Sequence, residues 1–556
     1  MRKIILRCML ATIAASLAAW VTFSGCVSDR PLRVVLDPDV VVPDNCAMIL
    51  FVDGMDQPRT RELLARGALP HIREHFVERG VEVENAIVSL PPTTYPNAVS
   101  LLTGRLPGHH GILGNQWYDR DTMLFCNYGT SESYRSVNEH FTSPTLYDLL
   151  ADELTVNVQC HTSRGATHSI DNVNMSAIKW FLGWYEGYDR RTGLSVEEVA
   201  EIANREKRWP IVTMLYFPGL DEVGHACGVE TERYAGAMRT VDAQIGRVMS
   251  ALERAGIRRR TYFALVTDHG HVQTSPQRTF ELIRWLREQR GLRVRDLLSH
   301  DEDDVEPLKR LEHVDAVALD GAYRRAVIHV PGPGGWREQP SLEAVMRIVA
   351  GSDTAPGPPL FECHGVGLVC VRGADASVLV FSPAGQAVIE RRFVEGAPQY
   401  RVAAPPDGPE AREVGDPLGY RQDPSLSAFV DAGWHPSREW LTATATSRYP
   451  DFVPQIVEMF ESPRAGDIVV FADEGWTFRH GEQGGHGSAL CTDVRVSMYF
   501  AGPDVPQGAK LPCARLVDVM PTVMSMLGRA DRLSAAGPLD GMDLFATIRA
   551  AGTTVP

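Results

Sequence analysis

Three aspartates and three histidines of this chain, Asp53, Asp221, His225, Asp268, His269 and His486, stand just past short apolar runs. Asp221 and His225 are four residues apart, a spacing that puts both on one face of a helical turn. Asp268 and His269 are neighbours, so both reach one site only where their strand stops and turns. Gly270 permits that turn. Oxygen and imidazole donors without cysteine suit zinc, with manganese or iron as alternatives. Six donors divide into two sites of three, each leaving a position open for substrate. Singly, each residue has a plain explanation, since aspartates cap helices and most histidines are ordinary hydrogen-bonding groups. Jointly they predict a binuclear metal centre.

The stretch SLPPTTYPNAVSLLTGRLPGHHGILGN, residues 89–115, supplies the partner for such a centre. Two prolines lead into Thr93-Thr94-Tyr95-Pro96-Asn97, and an apolar helix-like run ends at Gly104. Proline is tolerated in a first helical turn. Thr94 is therefore a hydroxyl just ahead of a helix N-terminus, where free N–H groups and the dipole favour an anion. By itself such a threonine equally well caps the helix. Beside two metal sites it becomes a candidate nucleophile.

The elements that position these groups read as α/β. Residues 48–52, 155–159, 211–217, 262–267, 467–471 and 496–500 are short apolar runs. Continuous rather than alternating runs suit strands buried on both faces of a parallel sheet. Helix-like segments at 59–66, 231–255 and 516–527 alternate with them. The expectation is a doubly wound, mostly parallel central sheet whose ligands gather beyond the strands' carboxyl ends. All six donors and Thr94 are expected at one edge of it. From residue 277 to 462 the character changes to short strand-like runs at 365–370, 377–381 and 387–392, followed by the proline-rich 403–417. This predicts an inserted β-rich cap, with core at 45–276 and the central sheet resuming at 463–556.

Residues 1–26 carry Arg2, Lys3 and Arg7 before an apolar stretch, a secretory signal pattern. Ser24-Gly25-Cys26 resembles a bacterial lipobox, so Cys26 is the expected lipid anchor, although Phe23 departs from the usual aliphatic residue. Residues 27–44 read as a tether, and the remainder is expected to be exported, periplasmic or at the cell surface. With 44% hydrophobic and 22% charged residues, the 556-residue chain has the composition of a globular enzyme with a sizeable core. A net charge of −15 without a basic stripe excludes a general nucleic-acid binder. The cysteines show no CxxC metal pattern, and their spacing fixes no disulfide pairing.

The segments FVDGMD, TTYPNAVSLLTGRLPGHHGI, LDEVGHACG, VTDHG and GGHGS, in this order, resemble the alkaline phosphatase superfamily, in its nucleotide pyrophosphatase/phosphodiesterase branch. The resemblance spans residues 48–488 and leaves most of 277–462 unexplained. It implies that Asp221, His225 and His486 hold one zinc, and that Asp53, Asp268 and His269 hold the other together with Thr94. Thr94 would form a covalent phosphothreonine that water then hydrolyses, and Asn115 would donate its amide to a phosphoryl oxygen.

Four further residues follow from the same resemblance as substrate contacts. Aromatics in the positions of Tyr95 and Tyr216 stack on a nucleoside base in nucleotide-cleaving relatives, and Tyr188 is a looser candidate for a facing wall. Arg164, in HTSRGAT, stands where monoesterase relatives have a phosphate-binding arginine. The lysine usual two residues earlier is Thr162 here, and His271 replaces the more usual apolar residue after DHG. The implied activity is hydrolysis of a small phosphodiester or pyrophosphate. A phosphomonoesterase, a phosphonate hydrolase and, more remotely, an inactive binding protein of the same fold are the alternatives.

Overall fold

The structure is a computed structural model that describes residues 30–130, 132–171, 183–296, 311–352, 357–404 and 415–552. The signal pattern and Cys26 lie outside the described residues. A nine-stranded central sheet is built from β1 (Cys46–Val52), β2 (Gly80–Ile87), β3 (Thr155–Val158), β4 (His168–Ile170), β5 (Val212–Phe217), β6 (Thr261–Val266), β7 (Arg495–Val496), β8 (Tyr499–Ala501) and β9 (Ala509–Arg515). Its order is β7-β2-β8-β6-β1-β5-β3-β4, with β9 also paired to β2. The helices that matter for the site are α1 (Thr94–Thr103), α2 (Glu186–Leu194), α3 (Gly219–Cys227) and α4 (Glu232–Arg254).

Strand β1 explains why the apolar runs are continuous. All seven of its residues are buried, because β5 and β6 flank it in parallel and both faces are covered. Ile49 and Phe51 enter one core, while Met48, Leu50 and Val52 enter the other. Burying each such side chain contributes roughly 1.5–3 kcal/mol. The second core is closed by α4, whose Tyr234, Met238, Val241, Ile245, Val248 and Leu252 recur at helical spacing. Thr231 starts α4 by accepting the Tyr234 N–H on its side chain.

The sheet is parallel across β4-β3-β5-β1-β6 and between β2 and β9, but β8 runs antiparallel to both β6 and β2. The run at 496–500 thus belongs to this sheet with the opposite direction from that expected. The run at 467–471 does not belong to it. Its strand, Ile468–Ala472, lies in a second nine-stranded sheet, antiparallel to both Arg325–His329 and Val366–Arg372. That sheet is also buried on both faces: Val469 and Phe471 share the first core, while Ile468 and Val470 face a third. Burial on two faces erases the alternation that marks most antiparallel strands. The expected return of the central sheet from residue 463 is corrected accordingly, to β7–β9.

Residues 30–44, expected to be a tether, instead lie along the helix Val196–Glu206. Arg30 pairs with Glu197 at 2.5 Å, the Val41 N–H donates to the Lys207 carbonyl, and Leu32 and Val34 are buried. Alternate apolar side chains in this stretch find a groove that composition alone does not reveal. Among the described residues, no helix is long and apolar enough to cross a membrane.

Candidate metal and phosphoryl-transfer site

The end of each central strand delivers one part of the site. Asp53 follows β1, α3 with Asp221 and His225 follows β5, and Asp268-His269 follows β6. These three strands are adjacent, so their carboxyl ends bring the side chains together. Gly54 permits the turn after β1. Its φ is +64°, and a Cβ there would meet Asp221 Oδ1 at 2.7 Å, so only glycine lets the two segments close. Gly270 serves differently: a Cβ would lie 2.2 Å from the Thr492 carbonyl oxygen, so a close approach, not a left-handed turn, demands it.

His486 arrives by another route. Gly484–Gly485 pairs antiparallel with Val272–Gln273, and this two-stranded ribbon sets His486 beside the Asp268–His271 loop. Arg324 and Asp493, both fully buried, hold the arrangement: the Arg324 N–H donates to the His486 carbonyl and the Asp493 carbonyl accepts the Gly270 N–H. Thr94 is the first residue of α1. Asn97 fixes the preceding turn, its amide donating to the carbonyls of Ser89, Pro91 and Thr93 and accepting from the Ser89 N–H. The cap residue is Thr93, which makes no side-chain cap bond, so Thr94 is free of the capping role.

The donors converge as three overlapping groups: Asp53 with Asp268 and His269, Asp221 with His269 and His486, and Asp221 with His225 and His271. The expected trio Asp221, His225 and His486 is therefore split between the last two. Asp53, Asp268 and His269 have ligand atoms within 4.8 Å of one another, with His269 Nε2 at 3.3 Å from Asp53 Oδ1 and 3.4 Å from Asp268 Oδ2. Asp221 is the hub of the rest. Its carboxylate lies 3.2 Å from His225 Nε2, 3.9 Å from His486 Nε2 and 3.0 Å from His271 Nδ1. The His269 and His486 rings stack at 3.5 Å. Thr94 Oγ1 lies 3.3 Å from His269 Nε2.

Three observations fit these residues to cations. First, Asp53 Oδ1 and Asp268 Oδ2 are buried without any hydrogen-bond partner, a costly state for a carboxylate that nothing coordinates. Second, His225, His269 and His486 each direct Nδ1 at a backbone carbonyl, of Gly484, Gly270 and Pro92, at 3.0, 3.0 and 3.1 Å. A carbonyl only accepts, so Nδ1 carries the proton and the Nε2 lone pair faces the cluster. Third, the acid–base balance is strained without positive charge. Burial and then the Asp221 charge push the Asp53 carboxyl well up, and burial and then Asp53 do the same to Asp268. Burial would raise Asp221 too, but His225 and His271 hold it well down. Burial opposes protonation of His225, yet Asp221 carries it up to about 9, so without a cation a proton takes the place on Nε2 that a metal would occupy. An oxygen-and-imidazole set of this kind suits the zinc class.

The remaining expected residues separate. Asn115 comes to the start of α1 beside Thr94, where its Oδ1 accepts the Tyr95 N–H at 3.2 Å. The Tyr216 hydroxyl donates to Asp53 Oδ2, so this tyrosine orients a donor carboxylate. Tyr95 is packed against Tyr128 and His161, with ring centroids 4.7 and 4.0 Å away. Tyr188 is buried on α2, where its carbonyl accepts the Thr192 hydroxyl. Arg164 is not brought to the cluster. Its guanidinium is engaged by Asp148 at 2.9 Å and by the carbonyls of Phe141 and Ser143, and it lies over the Phe141 ring.

Two histidines take parts that sequence reasoning left unassigned. The His271 Nδ1–H donates to the Asp221 carboxylate at 3.0 Å, and its ring fits between Gly224 and Gly484, where a Cβ on either would come within 2.7 Å of it. The glycines in VGHAC and GGHGS were the available signal. His161 lies against Tyr95 and Tyr216, and nothing in HTSRGAT marked it.

Residues 47–331 match the family described as type I phosphodiesterase/nucleotide pyrophosphatase. Over 240 residues the chain is 26% identical to an uncharacterized pyrophosphatase/phosphodiesterase of Schizosaccharomyces pombe, covering 42% of this chain and 46% of that protein. Over 236 residues it is 27% identical to a bis(5'-adenosyl)-triphosphatase of Xenopus laevis, covering 42% and 49%. The chain thus spans about half the length of these curated relatives. The fold is similar to that of murine ectonucleotide pyrophosphatase/phosphodiesterase 5, with a TM-score of 0.54 at 16% identity over 91% of this chain and 100% of that one. With the family match covering more than half its residues, the chain belongs to the type I phosphodiesterase/nucleotide pyrophosphatase family of the alkaline phosphatase superfamily.

Proposed function

We propose that this protein is a metal-dependent hydrolase of phosphodiester or pyrophosphate bonds that works through a covalent phosphothreonine on Thr94. The observation that carries the reading is Thr94 Oγ1 at 3.3 Å from His269 Nε2, the nitrogen that also meets Asp53 and Asp268. Asp53, Asp268 and His269 would hold one cation, and Asp221, His225 and His486 a second, with zinc the class their donors fit. Such cations, when bound, make a nearby hydroxyl more acidic and neutralise charge on phosphoryl oxygens.

The chain's own residues do the rest. Thr94, at the start of α1, loses its proton to water and its Oγ attacks phosphorus, while the bond to the departing alcohol or phosphate breaks and that oxygen takes up a proton from water. Water then attacks the same phosphorus, the bond to Oγ breaks, and the proton the water loses is balanced by the one Oγ regains. Asn115 has its Oδ1 occupied by Tyr95, which leaves its amide N–H groups to donate to a non-bridging oxygen. Tyr216 keeps Asp53 turned toward the cluster.

Charge favours a diester. A monoester dianion presents a third charged oxygen that calls for another cationic partner, and Arg164 is committed elsewhere. The signal pattern of residues 1–26 leads us to place the enzyme outside the cytoplasm, anchored through a lipid on Cys26. The test is kcat/KM for methyl p-nitrophenyl phosphate against p-nitrophenyl phosphate at one pH. The diester is expected to be the better substrate. A monoester advantage of about tenfold or more would overturn the diester reading in favour of a phosphomonoesterase.

A further inference from the structure

Beside Thr94 three rings form a closed wall. Tyr95 follows the nucleophile directly, and Tyr216 holds Asp53 through its hydroxyl. Two aromatic rings so placed would make a slot for a flat substituent on the phosphoryl group. His161 stands against both of them, 4.0 Å from the Tyr95 ring and 5.5 Å from the Tyr216 ring. Their other contacts are also taken: Tyr128 packs on Tyr95 at 4.7 Å, and Phe51 on Tyr216 at 5.0 Å. Tyr95, His161 and Tyr216 are 9%, 5% and 7% exposed, so His161 sits in the space between the two tyrosines that a stacked ring would need.

The His161 carbonyl accepts the Asn138 side-chain amide at 2.9 Å, but the His161 ring is held by packing. Its Nε2 is buried with no hydrogen-bond partner, and burial pulls the imidazole down to about 3, so it stays neutral. An unpaired buried nitrogen is destabilising, and an apolar side chain would fill the same space without that cost. In-line attack sends the departing group away from Thr94 Oγ, so a wall next to Thr94 faces the group that remains on phosphorus.

We propose that His161 closes the stacking position beside the nucleophile, and that the enzyme therefore acts on diesters whose retained group is a compact or aliphatic alcohol rather than a nucleoside. This rests on the phosphodiesterase reading and narrows its substrate class. A nucleobase gains no stacking contact at this wall, whereas a methyl or glyceryl ester needs none.

The test is binding, which does not require turnover. Titration calorimetry on the metal-loaded full-length protein compares adenosine 5'-monophosphate with methyl phosphate. In the wild type the two bind within about threefold of each other, because the base adds no contact. In His161→Ala, adenosine 5'-monophosphate binds about tenfold tighter or more, while methyl phosphate is unchanged. His161→Phe refills the gap and behaves as wild type. A nucleotide preference of about tenfold already present in the wild type, or an unchanged ratio in the alanine variant, overturns the proposal. Should alanine fail to fold, crystals of the wild type with adenosine 5'-monophosphate decide: adenine between Tyr95 and Tyr216 refutes a closed wall, and adenine outside it supports one. Absence of diester hydrolysis together with the expected binding shift counts against the reaction and leaves the wall standing.

Discussion

The Arg324 guanidinium and the Asp493 carboxylate form an ion pair from which solvent is wholly excluded, Nε to Oδ1 at 2.9 Å and Nη2 to Oδ2 at 3.2 Å. Asp493 also accepts the Ser488 N–H on its side chain, and its carbonyl takes the Gly270 N–H. The pair therefore ties the start of the strand Arg325–His329, in the second sheet, to both loops that carry His269 and His486. Asp493→Ala leaves a buried guanidinium without its partner and should cost about 3–5 kcal/mol in denaturant unfolding. Asp493→Ala combined with Arg324→Met should cost less than Asp493→Ala alone, because the stranded charge is gone. Equal or greater loss in the double variant would refute a charge-based penalty.

Removing donors should remove cations in a graded way. The wild type is expected to hold about two zinc-class ions per chain, and His486→Ala or Asp221→Ala to lose one of them with most of the activity. Elemental analysis of protein purified without chelator gives the count. Metal-free protein with full activity would end the binuclear reading.

Asp189 offers a pH test at the N-terminus of α3. It is fully buried on α2, where its Oδ1 accepts the Gly219 N–H at 2.9 Å and Oδ2 has no partner. Burial raises its carboxyl to about 8. A raised folded-state value means the native protein holds the proton that the unfolded chain releases near pH 4. Its contribution to stability is thus complete below about pH 4 and is lost as the pH rises toward 8. Asp189→Asn keeps the neutral shape and should flatten that part of the profile, stabilising the protein by roughly 1–3 kcal/mol at pH 8. Unfolding measured at pH 5 and pH 8 checks the sign. A variant less stable than wild type at pH 8 would contradict it.

Much of the candidate site's convergence is legible in the sequence because its residues sit where strands stop. Asp53, Asp221 and Asp268 follow strands that are adjacent in the sheet, and the α/β pattern alone places them together. Thr94 was legible from Pro96 and the apolar run of α1. The route of His486 was not, since a two-residue ribbon with Val272–Gln273 leaves almost no pattern in sequence. The strand Ile468–Ala472 was assigned to the wrong sheet for a physical reason: burial on both faces looks alike in parallel and antiparallel settings. Arg164 shows the opposite limit. Its type and motif suited a phosphate contact, but an arginine near Asp148 and two carbonyls is consumed by them, and only coordinates reveal that.

The nucleophile is tested most directly by trapping it. Metal-loaded protein is mixed with methyl p-nitrophenyl phosphate, quenched in acid within one turnover, and digested for mass spectrometry. The peptide containing Thr93 and Thr94 should carry a methylphosphoryl group on Thr94. Thr94→Ala should retain its cations and fold, show no adduct, and lose turnover on the order of 10³-fold or more, whereas Thr93→Ala should stay within about threefold of wild type. An adduct on Thr93, or rapid turnover in Thr94→Ala, would contradict a Thr94 nucleophile.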